Sequence, residues 1–314
     1  MSNQIPTHFV DQFSANVFHL SQQMGSRLQA NVRNETQRAE SAFWDRIGSV
    51  AAVKRTGRHQ DTPQLDTPHS RRRITLEDYL YADLIDNPDK YRSLNDPAND
   101  YVKAAVMAMG RSKDDEIIAA ALGNAFGGQK GGTAVALPNA QKLAASDGAT
   151  VAGVNLNVRT LRKIKKKFDE NEVDPSIKRY ILVSASQIES LLAEQEITSS
   201  DFNTIRALVA GEINEFMGLT FLRIERLPQA SAATTFDLAD HSVGAGGGSL
   251  PAVTSRRCIA WAEDGLMLAT AQEVRARLEE RADKAYSMQV FVEMGIGATR
   301  LEEEKVIEVI VNEA

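Results

Sequence analysis

Period-two alternation in the last third of the chain is the feature that most restricts its fold. Val274, Ala276 and Leu278 alternate with Arg275, Arg277 and Glu279. Met288, Val290, Val292 and Met294 alternate with Gln289, Phe291 and Glu293, and Val306, Glu308 and Ile310 continue the pattern near the C-terminus. Alternation sends one set of side chains to a buried face and the other to solvent, so these runs predict paired strands. For the first run a helix stays open, because Arg, Leu and Glu favour one.

A long helix precedes them. Asp96 supplies an oxygen to the first free amides, and Pro97 suits the first helical position. Val102, Ala105, Val106, Met109, Ile117 and Ala120 then follow a helical period, with Gly110 as a weak point and Gly127-Gly128 as the stop. Roughly 30 residues at this rise span about 45 Å. Further upstream, Phe13, Val17, Leu20, Met24 and Leu28 form one apolar stripe at helical spacing. Such a helix packs either on its own core or on another subunit.

Residues 43–75 change character. The run VAAVKRTGRHQDTPQLDTPHSRRRITL has two apolar-to-basic strands around a polar middle, where Pro63 and Pro68 forbid a continuous helix. It reads as a long hairpin-like excursion, too polar to bury a core of its own. Residues 129–157 are rich in glycine and alanine and show no period. A short basic helix follows at Val158–Phe168, then a strand in KRYILVSA, then a helix in SQIESLLAEQ opened by Ser184 or Ser186. VGAGGGS, from Val243 to Ser249, reads as a loop tip by composition.

With 314 residues, 43% of them hydrophobic and 25% charged, the chain suits one large or two modest globular domains. One cysteine, Cys258, excludes an internal disulfide and fits a reducing compartment. No run of about 18 apolar residues reads as a membrane span, and MSNQIPTHF lacks the parts of a signal peptide. A net charge of −6 does not suit a general polyanion binder.

The chemical motifs are weak. GGQKGGT, Gly127–Thr133, lacks the Gly-Lys-[Ser/Thr] that a phosphate loop needs before a helix, and reads as a linker ending the long helix. RTLRKIKKKF carries six basic residues, but Leu161, Ile164 and Phe168 line one face, so the charges read as its solvated side. Arg71, Arg72 and Arg73 suit either nucleic acid or, better, carboxylates across a subunit boundary. His59, Asp61, Asp66 and His69 match no tight metal spacing. His8, His19 and His241 are scattered, no G-x-S-x-G elbow is present, and Cys258 sits in an apolar strand where it is inert. No catalytic residue, cofactor or metal is expected.

The order of these elements, with GEINEFMGLTFLRIERLP, the apolar strand of SRRCIAWAEDGLMLAT ending in Ala262, and the final GATRLEEEKVIEVIVNE, resembles the major capsid proteins of tailed bacteriophages. The resemblance runs from about Ile74 to the C-terminus. It implies an α+β, Hong Kong ninety-seven-type capsid fold. Its parts would be an N-terminal arm (1–42), an E-loop (43–75), a P-domain with a long spine helix (76–135), an A-domain (136–270), P-domain strands (271–297) and a C-terminal strand returning to the A-domain (298–314).

The resemblance also implies hexamers and pentamers of this chain that close an icosahedral head in the host bacterial cytoplasm. A scaffolding protein, a portal, a possible decoration protein and packaged double-stranded DNA, bound without sequence preference, would be partners; no membrane is involved. No long scaffolding segment precedes the arm, so a separate scaffolding protein is expected. Inter-subunit contacts are expected at Phe13, Val17, Leu20 and Met24 on the arm, and at Lys54, Arg55, Arg58, Arg71, Arg72 and Arg73 on the loop. Asp114 and Asp115, midway along the spine, are expected to be exposed or paired with a neighbour. Some relatives link subunits through a lysine and an asparagine; nothing identifies a partner for Lys54. The rival classes are an encapsulin-type nanocompartment shell and, more remotely, a nucleotide-binding enzyme.

Overall fold

The computed structural model describes residues 22–58, 61–62, 64–86, 98–145, 154–194, 215–229, 235–236, 248–249 and 255–313. The chain divides into two units. The smaller holds Met1–Ser26, Glu77–Lys113 and Ala271–Ile296, and the larger holds Arg27–Leu76, Asp114–Thr270 and Gly297–Ala314.

The larger unit is built on strands that are apolar on both faces. Strand β8 (Arg179–Val183) is buried throughout, as is β16 (Val306–Asn312), and β13 (Ser255–Ala262) nearly so. Such runs need cover on both sides of a sheet. They lie centrally in a six-stranded sheet ordered β7 (Lys142–Ala144), β16, β13, β8, β10 (Leu219–Arg223), β9 (Glu215–Phe216). β13 runs antiparallel to both β16 and β8, whereas β8 is parallel to β10 and β16 to β7.

Helix α2 (Val158–Glu170) fits the basic stripe read from sequence. Val158, Leu161, Ile164 and Phe168 are buried, the Asn157 side chain caps the Thr160 amide, and Lys166 and Lys167 face solvent near Glu170. Each fully buried Leu, Ile or Phe contributes about 1.5–3 kcal/mol. The Arg179 guanidinium lies over the Phe168 ring at 5.3 Å, joining this helix to β8. Helix α3 (Ala185–Ala193) starts after Ser184 and reaches β16 through Gln187, whose Nε2 donates to the Asn312 carbonyl at 2.6 Å.

In the smaller unit β4 (Glu77–Ile85) pairs antiparallel with β15 (Ser287–Arg300), from Ile85 opposite Met288 to Glu77 opposite Ile296. Val290, Val292, Met294 and Ile296 are buried, as the alternation predicts. The first alternating run, left open above, is strand β14 (Leu266–Arg281), hydrogen-bonded to β15. Pairing with a neighbouring strand here overrides the helical preference of Arg, Leu and Glu.

The long helix is α1, Ala98–Leu122, 25 residues or about 37 Å. Its expected start at Asp96-Pro97 lies outside the described residues. Its expected end is corrected. The Gly123 amide closes the last turn on the Ala119 carbonyl, and Ala125–Gly127 already form a strand, β5. Gly123 and Asn124 are poor helix formers and break the ladder before Gly127 is reached. Gly110 has a packing reason within the smaller unit: a Cβ there would sit 2.5 Å from the Gly25 carbonyl carbon.

The N-terminal stripe is corrected in part. Phe13, Val17 and Leu20 lie outside the described residues. Residues 22–28 are not helical, Gly25 takes φ +75°, and Met24 is 78% exposed while Leu28 is buried. From Arg27 onward the segment belongs to the larger unit. The Arg27 and Leu28 amides each donate to Asp114 at 3.1 Å, and β1 (Arg33–Thr36) pairs parallel with Met267–Thr270 of β14. Trp261 Nε1 donates to the Asn31 carbonyl at 2.9 Å. Asp114, expected exposed or at a neighbour, is therefore fully buried inside its own subunit. Two backbone amides supply the hydrogen bonds that its carboxylate needs there.

Asp114→Ala should lower unfolding stability by about 1–3 kcal/mol, the penalty for leaving buried amides without an acceptor. Urea denaturation of the subunit measures it. Truncation of residues 1–35 should destabilise the subunit more, because it removes most of β1 and the anchor as well as any free arm.

Candidate assembly interface

The excursion at residues 43–75 contains a hairpin, but its first strand is corrected: VAAVKR, Val50–Arg55, is exposed and carries no regular structure, and the strand lies upstream of it. Strand β2 (Ser41–Ile47) pairs antiparallel with β3 (His69–Thr75), from Ser41 opposite Thr75 to Ile47 opposite His69. β3 also pairs with β5, and β5 with β6 (Thr133–Val135), giving a four-stranded sheet in the order β2-β3-β5-β6. Between the strands, the described residues from Gly48 to Pro68 are exposed and carry no regular structure.

A strand turns successive side chains to opposite faces, and this splits the three arginines. Arg71 and Arg73 share the outer face. The Arg71 guanidinium bonds Asp45 at 2.9 Å and lies 5.5 Å from the centre of the Phe43 ring. Arg73 sits over Phe126 at 5.4 Å. Register puts Phe43, Arg73 and Phe126 in one row across the sheet, and Phe43 and Phe126 are both exposed. Each cation–ring contact contributes about 0.5–1 kcal/mol where exposed and holds the guanidinium flat against the sheet. Ile47, 70% exposed, extends the face toward the loop, where Val50, Val53 and Leu65 are exposed beside Lys54, Arg55 and Arg58. A hollow of 450 Å³ borders this face, lined by Asp45, His69, Ser70, Arg71, Gly128 and Gln129.

Arg72 points the other way and is 3% exposed. Its guanidinium meets the Glu303 carboxylate. Arg46 donates to the Leu301 carbonyl and lies 3.6 Å from Glu303, and Arg300 lies 3.7 Å from it. Arg300 is fully buried and donates to the carbonyls of Ala121, Gly123 and Val135 at 2.9–3.0 Å. It thereby satisfies carbonyls at the C-terminal end of α1 that the helix leaves open. Gly127 stands opposite Arg72, where a Cβ would come within 2.8 Å of the guanidinium and would force it to shift. Burial pushes the Arg72 and Arg300 pKa values down, and Glu303 opposes the shift. Beside this network Trp44 and Leu76 pack on Ile74, Met267, Ala269 and Leu301.

Arg72 is thus corrected as a contact candidate, since a side chain this buried has no surface to offer a neighbour. Asp115, by contrast, is near the surface and pairs within the chain: both its oxygens accept from Arg226. The pair borders a 380 Å³ hollow lined also by Ile118, Ala119, Leu122, Pro228 and Arg257. Sequence reasoning missed Glu303, Arg300, Arg46, Phe43, Phe126 and Arg226. Phe43 and Phe126 were findable from strand alternation, but nothing separates Glu303 from its neighbours Glu302 and Glu304.

The remaining motifs take structural places. GGQKGGT is corrected from a helix-ending linker to the turn of the β5–β6 hairpin, with Gly128 and Gly131 at positive φ and no helix following. Asp61, Asp66 and His69 are exposed, and among the described residues no group of His, Cys, Asp and Glu could hold a metal ion. Cys258 is fully buried in β13, and burial pushes its thiol pKa well above the ordinary value.

The phage capsid protein family matches residues 5–313. Among solved structures, the chain is similar to the capsid of cyanophage P-SCSP1u at 15% identity and TM-score 0.71, covering 98% of this chain and 94% of that one. It is similar to the capsid of Ralstonia phage GP4 at 10% identity and TM-score 0.72, covering 97% and 95%. The acid-stable capsid of Helicobacter pylori bacteriophage KHP30 matches at 11% identity and TM-score 0.69, covering 100% and 98%. No curated protein matches. The chain belongs to the phage capsid protein family. Its fold is the expected α+β, Hong Kong ninety-seven-type capsid fold.

Arg300→Met should cost about 3–5 kcal/mol of stability, the range for removing one partner of a buried charge cluster. Thermal and urea unfolding of the purified subunit would register it. Cys258 should resist thiol reagents at neutral pH in native protein and react at once in denaturant, because only the thiolate is nucleophilic.

Proposed function

We propose that this chain assembles into hexamers and pentamers and that residues 43–75 act as an E-loop docked on the adjacent subunit. The observation that carries the reading is the outer face of the hairpin sheet. It presents Phe43, Arg71, Arg73 and Phe126 as a flat cation–aromatic row, continued by the exposed apolar side chains Ile47, Val50, Val53 and Leu65. An exposed apolar surface rimmed by charge marks a protein contact, and aromatic and arginine side chains are the residues that anchor interfaces.

The rest follows the same reading. The arm is residues 1–42, the P-domain 76–135 with 271–297, and the A-domain 136–270 with the returning strand 298–314. As contact candidates we keep Met24, Lys54, Arg55, Arg58, Arg71 and Arg73, together with Phe13, Val17 and Leu20, which lie outside the described residues; Arg72 and Asp114 serve the subunit interior, and Asp115 is held by Arg226 of its own chain. The chain is a structural protein of the virion without a catalytic role. Its partners are a scaffolding protein, a portal, a possible decoration protein and packaged double-stranded DNA, and the head forms in the host bacterial cytoplasm. The net charge of −6 suits a wall that encloses DNA without gripping it. No observation favours a nanocompartment or a nucleotide enzyme.

Arg71→Glu with Arg73→Glu should leave the subunit folded and abolish closed particles. Arg72 stays untouched in this variant, because reversing a buried charge would unfold the hairpin base and blur the test. Circular dichroism and electron microscopy of the expressed protein read the two outcomes. Normal heads from the double variant would reduce the outer row to a solvated face.

A further inference from the structure

We propose that Glu303 is a positioning residue for assembly: by holding Arg46, Arg72 and Arg300 around one carboxylate, it fixes the direction in which the β2–β3 hairpin projects from the rest of the larger unit, and through it the size of the closed particle. The inference rests on the reading that the hairpin docks on a neighbour.

Geometry gives the reason. Arg46 lies on β2, Arg72 on β3 and Arg300 at the end of β15, and all three converge on Glu303 in the turn before β16. Beyond Arg46 the strands hold one more pair, Ile47 with His69, before the exposed loop begins. The ion cluster therefore clamps the hairpin close to its departure point. A loop limb of ten residues reaches about 30 Å when extended. A 10° swing at such a clamp displaces the tip by roughly 5 Å over that length, more than one residue of strand register.

Charge gives the switch-like character. Arg46 and Arg72 repel each other, as do Arg72 and Arg300, and Glu303 is the carboxylate that touches all three. Arg300 is fixed independently by three carbonyls. Neutralising Glu303 therefore leaves Arg300 in place and lets repulsion push the hairpin strands away. The short β3–β5 ladder, the Arg46 bond to the Leu301 carbonyl and the packing of Trp44 on Ile74 would still hold the hairpin's base, with no carboxylate left to draw β2 and β3 together onto Arg300.

The test uses full-length subunits with spin labels at Val53→Cys and Lys178→Cys, both in the larger unit and both exposed. The native Cys258 is buried and leaves the labelling specific. Native protein should give one narrow distance peak by pulsed electron resonance, Glu303→Gln should lose that peak to a wide distribution, and Glu303→Asp should restore most of it. Unlabelled Glu303→Gln should assemble into particles of mixed diameter by electron microscopy. A narrow peak in folded Glu303→Gln overturns the proposal, and a wide peak with heads of native diameter overturns its link to particle size. If Glu303→Gln does not fold, Arg46→Gln decides on the same two measurements, since Arg46 is the most exposed of the three. The double charge reversal at Arg71 and Arg73 tests docking separately, because the label distance is read before any subunit meets another.

Discussion

A guanidinium removed from water must find its hydrogen bonds in the protein, and in this chain that requirement organises the region from which the hairpin departs. Taking an ion out of water costs several kcal/mol even after relaxation, and only good geometry with further hydrogen bonds offsets it. Arg300 meets most of the demand with three carbonyls from the end of α1 and the edge of β6, and its Nε, which makes no hydrogen bond, lies 3.7 Å from Glu303. Arg72 meets it in part, through the Glu303 carboxylate, while its buried Nε makes no hydrogen bond. Three pieces distant in sequence are thus tied to one point: the helix end near residue 122, the hairpin strands near residues 46 and 72, and the turn near residue 303. An apolar cluster of the same size would be no less stable, but it would tolerate more sliding.

The same strand carries the proposed contact surface. Period two lets β3 place Arg72 inward and Arg71 and Arg73 outward, so fixing the inner residue also fixes the plane of the outer row. The outer guanidiniums are already held flat by Phe43, Phe126 and Asp45. Little side-chain entropy is left to lose when a partner arrives, and pre-ordering of this kind strengthens a contact without adding area. Individually modest contacts then accumulate around a closed shell, where each subunit is held by several neighbours at once.

Much of the fold was legible from the sequence because its signals are local. The stripe of α2, the continuous apolar runs of β8 and β13 and the alternation of β15 follow directly from side-chain period. That a hairpin lies here was legible from its prolines and its polar middle, but its first strand was not: VAAVKR is the more apolar run, yet Ser41–Ile47 alternates against β3. Long-range partners were not legible. Asp114 reads as one of two solvated acids on a helix, and only the arrival of the Arg27–Leu28 backbone buries it. The helix stop was misplaced because Gly127-Gly128 is the louder signal, yet Gly123 and Asn124 come first. Arg71, Arg72 and Arg73 read as one basic patch because composition is blind to which way a side chain points.

That last error is instructive for the candidate contacts as a set. Charge density in sequence finds the segment that works at a surface, but alternation decides which of its residues reach that surface. Arg72 and Arg73 differ by one position and by their whole role: one answers to Glu303 inside the subunit, the other to Phe126 on its face. The inner residue constrains the angle of the hairpin and the outer ones supply what it offers. On the proposed reading the inner residue sets the geometry of the hairpin and the outer row sets what it can bind, so substitutions on the two faces of one strand separate the two effects.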